Sequence, residues 1–174
     1  MNLSSKLKRC ETALKNLKDR KGNIHNHDVI KATLSNKLDE KRLRFIPPGE
    51  GIRYQRDEMA FLPKRLRFNV DWETLNEKRF RQTRLQRLPE NAPAPTILTS
   101  RTMYYHPKEA RYLTPREAAR LQSFSNDFIF HGSVTSQFRQ IGNASTSANA
   151  LKSTAFPSIT GKEASGPISP NPST

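Results

Sequence analysis

The chain contains one cysteine, and that residue is its only candidate for a thiol nucleophile. Cys10 follows Arg9 in a basic stretch, where neighbouring cations can lower the pKa of a thiol. We expect this segment to be exposed, and we interpret Cys10 as an ordinary surface or helix cysteine. A single cysteine excludes an internal disulfide and a zinc site built from several cysteines.

A second set of residues suited to binding is the arginine-rich stretch from Arg79 to Arg87. In an extended strand, Arg79, Arg81 and Arg87 would share one face and Arg84 would lie on the other. Such a face suits phosphate contacts, and a solvated basic face is the alternative. The net charge of +14 and the pI near 10.3 favour a polyanionic partner such as duplex DNA or RNA. A ribosome-associated or simply soluble basic protein is the other interpretation.

The clearest structural signal is a capped helix later in the chain. Thr114 is a good N-cap, and Pro115 occupies the first helical position, where its missing N–H costs nothing. Glu117 completes a Thr-x-x-Glu capping box at the positive end of the helix dipole. A turn at 125–127 ends this unit, and the apolar run 128–130 follows it. The pattern predicts a helix that packs one face on a core and carries no chemistry itself.

The composition divides the chain into four segments. Residues 1–45 form a basic segment, in which we expect one helix over 1–20 and another over 28–43. Residues 46–100 contain a Pro-Pro-Gly turn, short basic pieces rich in turns and a short strand at 94–99. Residues 101–144 contain the capped helix, and 145–174 form a polar tail that we expect to be disordered.

Only 34% of the residues are hydrophobic and 8% are aromatic, so we expect a small core and an α+β fold with short strands. No apolar stretch approaches the roughly 20 residues that a membrane-spanning helix needs. The N-terminus also lacks the apolar segment of a signal peptide. We therefore expect no membrane partner and a cytoplasmic, nucleoid-associated protein.

The stretch Thr114-Pro-Arg-Glu-Ala-Ala-Arg-Leu-Gln-Ser-Phe124 closely resembles the penultimate sequence block of the DNA cytosine-5 methyltransferases. Gln140-Ile-Gly-Asn-Ala144 is similar to the start of the final block of that family. The continuation Phe124-Ser-Asn-Asp-Phe128 departs mildly from the usual Phe-Pro-Asp-Asp-Phe, and Ser145-Thr-Ser replaces the usual Val-Pro-Pro. Two further stretches, at 46–49 and 93–97, resemble the recognition region. The resemblance covers about residues 40 to 144.

The resemblance implies a reaction whose chemical groups this chain lacks. In the family, the cysteine of a Pro-Cys motif attacks carbon 6 of a flipped cytosine, and carbon 5 takes the methyl group of S-adenosylmethionine. A glutamate from a Glu-Asn-Val motif stabilises the base, and a Rossmann-like domain binds the cofactor. Here Cys10 follows an arginine, Glu90-Asn91-Ala92 only superficially echoes Glu-Asn-Val, and no glycine-rich loop follows a strand. Covalent catalysis cannot proceed from this chain alone.

By resemblance, Gly142 and Asn143 are the candidate contacts to S-adenosylmethionine, which would be bound mainly by another chain. The alternative is that this Gly-Asn pair is an ordinary turn at the start of a helix. The penultimate block would organise the recognition domain, with Arg116 or Glu117 in interdomain contacts. The basic region would contact double-stranded DNA, and the candidate residues are Arg53, Arg65, Arg67, Arg79, Arg81, Arg84 and Arg87.

The resemblance therefore predicts one part of an enzyme. The chain would be the small subunit of a heterodimeric DNA (cytosine-5)-methyltransferase of a restriction-modification system, inactive without its large catalytic subunit. We expect a small target-recognition module with a returning capped helix, incomplete without the Rossmann-like partner domain. Two alternatives remain: an inactive truncated or frameshifted remnant, and a free-standing basic DNA-binding protein.

Overall fold

The computed structural model describes residues 9–72 and 83–144. The described residues form five α-helices, and two 3₁₀ turns lie at Ile30–Ala32 and Lys64–Leu66. The helices are α1 (Cys10–Leu14), α2 (Lys37–Leu43), α3 (Gln55–Phe61), α4 (Pro115–Leu121) and α5 (Val134–Asn143). Within these residues, no helix is long and apolar enough to cross a membrane. The predicted tail at 145–174 lies outside the described residues.

Extended chain pairs only through isolated bridges in the described part of the structure. Arg9 pairs with Pro93, Ile52 with Arg84, and Tyr105 with both Arg87 and Tyr112. The strand predicted at 94–99 does not form in the described structure, because no neighbouring segment bonds to its backbone as a ladder. The α+β class therefore remains a prediction.

The first core lies between α1, α4 and α5, and α4 packs against both of the other helices. Small residues of α4 allow this close approach, since Ala118 and Ala119 are both fully buried. Larger side chains from α5 and its flanking loops fill the remaining space, and each buried Phe, Leu or Ile stabilises the fold by about 1.5–3 kcal/mol. The buried members are Cys10, Leu88, Ile97, Leu113, Ala118, Ala119, Phe130, Phe138 and Ile141.

The second core lies between the segment that joins α2 to α3, on one side, and residues 83–88, on the other. The rings of Tyr105 and Tyr112 stack at its edge, with centroids 5.0 Å apart. Phe61, Phe68 and Trp72 pack against it from the outside. The buried members are Leu34, Leu43, Ile46, Ile52, Leu62, Leu85 and Tyr105.

The predicted N-terminal helices are shorter than expected. The helix expected over 1–20 is wrong at its end, because α1 stops at Leu14, Lys15 is extended and Asn16 is left-handed; residues 1–8 lie outside the described part. The helix expected over 28–43 is wrong in its first half: after the turn at Ile30–Ala32, Thr33 is extended and α2 begins at Lys37. The reason is Asn36, whose side chain accepts from the N–H groups of Leu38 and Asp39 and so starts a new helix.

The two cores combine segments that the composition separates. Cys10 belongs to the first core and Leu43 to the second, although both lie in the predicted 1–45 segment. Leu88 and Ile97, from the predicted 46–100 segment, pack into the first core. The four-part division itself stays a prediction.

Candidate functional site

Helix α4 has the capped start that the sequence predicts. The Thr114 hydroxyl accepts from the Glu117 N–H at 3.3 Å, and the Glu117 carboxylate accepts from the Thr114 N–H at 2.8 Å. Pro115 is the first helical residue. The predicted capping box is therefore confirmed, and the turn after the helix includes Ser123 in a left-handed conformation.

A buried ion pair fixes the N-terminal turn of α4. Two nitrogens of Arg111 donate to the two carboxylate oxygens of Glu117 at 2.8 and 2.7 Å. Burial alone would raise the pKa of Glu117, but the hydrogen bonds and charge of Arg111 outweigh it and lower that pKa. Glu117 therefore stays ionised, and the pair is a structural element of the site.

Arg116 joins α4 to the loop that follows it and to a segment that is distant in sequence. Its guanidinium is fully buried and donates to the backbone carbonyls of His25 and Ser125, each at 3.0 Å, and of Phe128. Arg116 and Glu117 thus form buried contacts within this chain. Their predicted interdomain role stays a prediction.

The predicted cofactor residues lie at the end of a helix. Gly142 and Asn143 are the last two residues of α5, so the structure does not show the helix-start turn that the sequence suggests. A Cβ on Gly142 would lie 2.7 Å from the Thr99 nitrogen, so the glycine allows α5 to pack against the 98–99 backbone. Asn143 is exposed. Helix packing therefore explains Gly142, and Asn143 is the member of the pair that presents a side chain outward.

Cys10 is buried, contrary to the exposed position that the sequence suggests. It has no solvent-accessible surface, and its backbone N–H donates to the Ala92 carbonyl at 3.0 Å. Burial raises the pKa of its thiol to about 11, the opposite of the effect expected from neighbouring cations. A neutral, enclosed thiol of this kind is a core residue rather than a nucleophile.

The predicted DNA-binding arginines occupy different environments. Arg65 and Arg84 are exposed, whereas Arg53 and Arg67 are partly buried. Arg67 donates to the Leu62 carbonyl at 3.3 Å, and the Arg53 guanidinium lies 5.4 Å from the centre of the Tyr54 ring. Arg79 and Arg81 lie outside the described residues. The structure therefore brings Arg84 to the surface but does not present all the predicted arginines on one face.

Arg87 is buried, so it does not belong with the exposed arginines Arg65 and Arg84. Its guanidinium donates to four backbone carbonyls, including those of Leu43 at 3.1 Å and Ile46 at 2.9 Å. Only 6% of the residue is exposed. In this conformation its donors are used by the second core and by the loop at 106–107, so Arg87 stabilises the fold rather than presenting a charge to phosphate.

Two cavities near these residues were not predicted. One, of about 520 Å³, lies beside Arg84 and is also lined by Asn36, Asp39, Phe68 and Thr102. Another, of about 360 Å³, lies at the start of α4, where His27 Nδ1 lies 2.8 Å from the Thr114 hydroxyl oxygen. The lining residues come from separate parts of the chain, so no local pattern in the sequence indicates either cavity.

The chain resembles known proteins in both its family pattern and individual sequences. The C-5 cytosine-specific DNA methylase family matches residues 2–151. The type II methyltransferase M.NgoFVII of Neisseria gonorrhoeae is 50% identical over 62 residues, which cover 34% of this chain and 17% of that protein. M.Eco47II of Escherichia coli is 30% identical over 137 residues, which cover 74% of this chain and 31% of that protein. M.DdeI of Desulfomicrobium norvegicum is 32% identical over 136 residues, covering 72% and 31%.

These matches locate the chain within its family. It spans about a third or less of the length of the relatives it matches. The family match covers most of the chain and includes the capped helix and both cores. The chain belongs to the C-5 cytosine-specific DNA methylase family.

Proposed function

We propose that this chain supplies the DNA-recognition region and the last two motifs of a two-chain cytosine-5 DNA methyltransferase of a restriction-modification system. The observation that carries the proposal is the position of its single cysteine. Cys10 is enclosed in the first core, and its thiol pKa is raised by burial. The chain thus combines the folded motif helix of the family with a cysteine that offers no available thiolate, which supports a nucleophile supplied by a second chain.

The division of roles follows from which groups this chain can offer. Methyl transfer to cytosine needs a base held out of the duplex and a thiolate beside it. The partner would supply the thiolate and most of the cofactor pocket, while this chain would hold the DNA through exposed arginines such as Arg65 and Arg84. The net charge of +14 supports a polyanionic substrate.

S-adenosylmethionine, when bound, supplies the methyl group. The residues here fit it only in part, because Gly142 packs against the 98–99 backbone and Asn143 alone presents a side chain outward. We therefore assign Asn143 as a contact at the edge of a pocket that the partner chain forms. A cofactor held mainly by the partner agrees with the lack of a glycine-rich loop in this sequence.

The direct test is to assay this chain, its partner and the mixture for transfer of a labelled methyl group to DNA. A catalytic chain with a Pro-Cys motif and a glycine-rich cofactor loop should be sought first in the adjacent reading frames. We expect no transfer by this chain alone and restored transfer by the pair. Failure of the purified pair to methylate any DNA would overturn the proposal and favour an inactive remnant.

A binding experiment separates the proposal from a free-standing DNA-binding protein. On its own, the chain should bind DNA weakly and with strong salt dependence, with a Kd of about 10⁻⁴–10⁻⁶ M at physiological salt. Association with the partner should raise its Tm, because a partner that binds only the folded state stabilises it by mass action. Tight, sequence-selective binding without any partner would contradict the two-chain assignment.

A further inference from the structure

Arg84 stands on a rigid stretch of backbone. Its N–H donates to the Ile52 carbonyl and its carbonyl accepts from the Ile52 N–H, both at 2.8 Å. Gly51 lies so close to this stretch that a Cβ there would be 3.0 Å from the Arg84 carbonyl oxygen. These contacts hold residues 51–52 against Arg84, so the backbone that carries the exposed Arg84 side chain is fixed.

The next residue bends the chain in an uncommon way. Leu85 has a φ of 52°, in the left-handed region that residues with a Cβ seldom occupy, and its side chain is buried in the second core. Conformations of this kind cost about 1–3 kcal/mol and persist when the surroundings enforce them. Here the burial of Leu85 and the pairing of Arg84 with the buried Ile52 enforce the bend. The Arg84 side chain remains exposed.

An aromatic ring orients the Arg84 guanidinium. Phe68 contacts two arginines, with the guanidinium carbon of Arg42 4.0 Å and that of Arg84 5.2 Å from the ring centre. Arg42 is buried and donates to the Leu66 carbonyl at 2.7 Å and to the Asp39 carboxylate at 2.8 Å. Because Arg42 holds one face of the ring, Phe68 is a fixed surface on which the exposed Arg84 stacks.

The cavity beside Arg84 offers both donors and acceptors. It has a volume of about 520 Å³, and its lining includes the hydroxyl residues Thr83 and Thr102, the amide of Asn36 and the carboxylate of Asp39. The Asp39 carboxylate is paired with Arg42 and accepts from the Asn36 amide, so its charge is compensated in the cavity wall. The two hydroxyls can both donate and accept, as the edge of a base pair requires, whereas a phosphate oxygen only accepts. This lining therefore suits the edge of a base pair better than the DNA backbone, although Arg84 itself is compatible with either.

We infer that Arg84, stacked on Phe68 at the mouth of this cavity, reads a guanine in the major groove of the target site. A guanidinium can donate two parallel hydrogen bonds to O6 and N7 of guanine, and an orientation fixed in advance favours that geometry. The inference rests on the proposed function, because it requires this chain to recognise DNA within the two-chain enzyme. It assigns sequence selectivity to one arginine and to one G·C position of the site.

The experiment uses the complete two-chain enzyme and compares Arg84→Lys with a control, Arg139→Lys, at an exposed residue of α5. The target site is first mapped with the wild-type enzyme, and each base pair is then replaced in turn. We expect Arg84→Lys to lower the discrimination at one G·C position by about 5- to 150-fold while leaving the other positions unchanged. Lysine keeps the charge, so the salt dependence of binding should stay the same, but it lacks the planar fork that donates two parallel hydrogen bonds and stacks on Phe68. Phe68→Leu should lower selectivity at the same position by a smaller factor.

Several results would overturn the inference. If Arg84→Lys discriminates among the sites as Arg139→Lys does, Arg84 reads no base. If Arg84→Ala weakens binding equally at all sites and reduces the slope of log K against log salt by about 0.9, Arg84 contacts phosphate instead. If the wild-type pair methylates no DNA, the proposed function itself fails and the inference falls with it. Because that last result concerns the wild type and the others concern variants, the two failures are distinguishable.

Discussion

Buried and exposed arginines serve opposite purposes in this molecule, and the region around the second core contains both kinds. Around the first core, Arg111 and Arg116 are buried, and their donors bind a carboxylate and backbone carbonyls. Around the second core, Arg65 and Arg84 are exposed, while Arg42 and Arg87 are buried as in the first region. Net charge therefore overstates the surface available to DNA. What an arginine does depends on the acceptors that surround it, which the charge count does not contain.

Loss of a buried arginine should have the largest effect and separate the two regions most clearly. Arg111→Met leaves the Glu117 carboxylate buried without its partner, so we expect it to lower the free energy of unfolding by about 3–5 kcal/mol. The matched substitution Arg84→Met, at the surface, should change that free energy by less than about 0.5 kcal/mol. Urea denaturation of both variants measures the difference. Equal effects of the two substitutions would refute the distinction between structural and exposed arginines.

Gly142 and Gly51 both lie close to neighbouring backbone, so the stability lost on replacing each with alanine measures how rigidly its region is packed. Gly142→Ala places a methyl group against the 98–99 backbone and should destabilise the fold by about 1–3 kcal/mol. Gly51→Ala first meets a methyl carbon of the Thr83 side chain, which can move more easily, so its cost should be smaller. Arg139→Ala on the exposed face of α5 is the control. Thermal unfolding of the three variants tests the order, and a larger effect at Gly51 would reverse our view of which region is packed more rigidly.

The helix caps provide a finer comparison. Thr114 is fully buried and also contacts His27, whereas the Asn36 cap of α2 lies in an exposed residue. Replacing a cap with alanine costs about 0.5–2 kcal/mol. We expect Thr114→Ala near the upper end of that range and Asn36→Ala near the lower end. Denaturant midpoints measure both, and equal costs would show that burial adds nothing to the first cap.

The smallest expected effect is a pH dependence of the free energy of unfolding that arises from His106. Its Nδ1 atom accepts from the N–H groups of Lys108 and Glu109 at 3.2 and 3.0 Å, and burial lowers the pKa of the imidazole below its ordinary value of 6.5. The unfolded chain therefore takes up this proton at a higher pH than the folded chain does. The free energy of unfolding should fall as the pH drops below about 6.5.

The control for this effect is His106→Asn, whose side-chain oxygen can accept from the same N–H groups without titrating in this range. In the variant, the free energy of unfolding should no longer fall with pH in the range just below 6.5. It should keep the losses at lower pH, where Glu109 and Glu117, whose pKa values are lowered in the fold, become protonated. An unchanged slope in the variant would assign the effect to other groups.

The parts of the structure that the sequence predicts are local. The Thr114–Glu117 capping box spans four consecutive residues, and its two partners lie only three positions apart, so the pattern of residue types is sufficient. The start of α2 was missed, although Asn36 is a good cap, because the apolar positions before it suggested a continuous helix. Leu34 instead packs into the second core from an extended segment.

The parts that the sequence does not predict depend on distant partners. Arg87 binds the Leu43 carbonyl, 44 residues away, and Arg116 binds the His25 carbonyl, 91 residues away. Cys10 belongs to a core cluster with residues of α4, α5 and the 88–97 segment, none of which is near it in sequence. The cavity beside Arg84 is likewise lined by residues from separate parts of the chain. Burial decided each of these roles, and burial follows from tertiary contacts that no local pattern records.

The central claim is that this chain brings recognition but no nucleophile to methyl transfer. The most direct test is Cys10→Ala in the two-chain enzyme, with transfer of a labelled methyl group to DNA as the measurement. We predict that the pair keeps its wild-type rate, whereas alanine at the Pro-Cys position of the catalytic chain abolishes transfer. Loss of transfer in a Cys10→Ala enzyme whose two chains still fold and associate, or any transfer by this chain alone, would contradict the account.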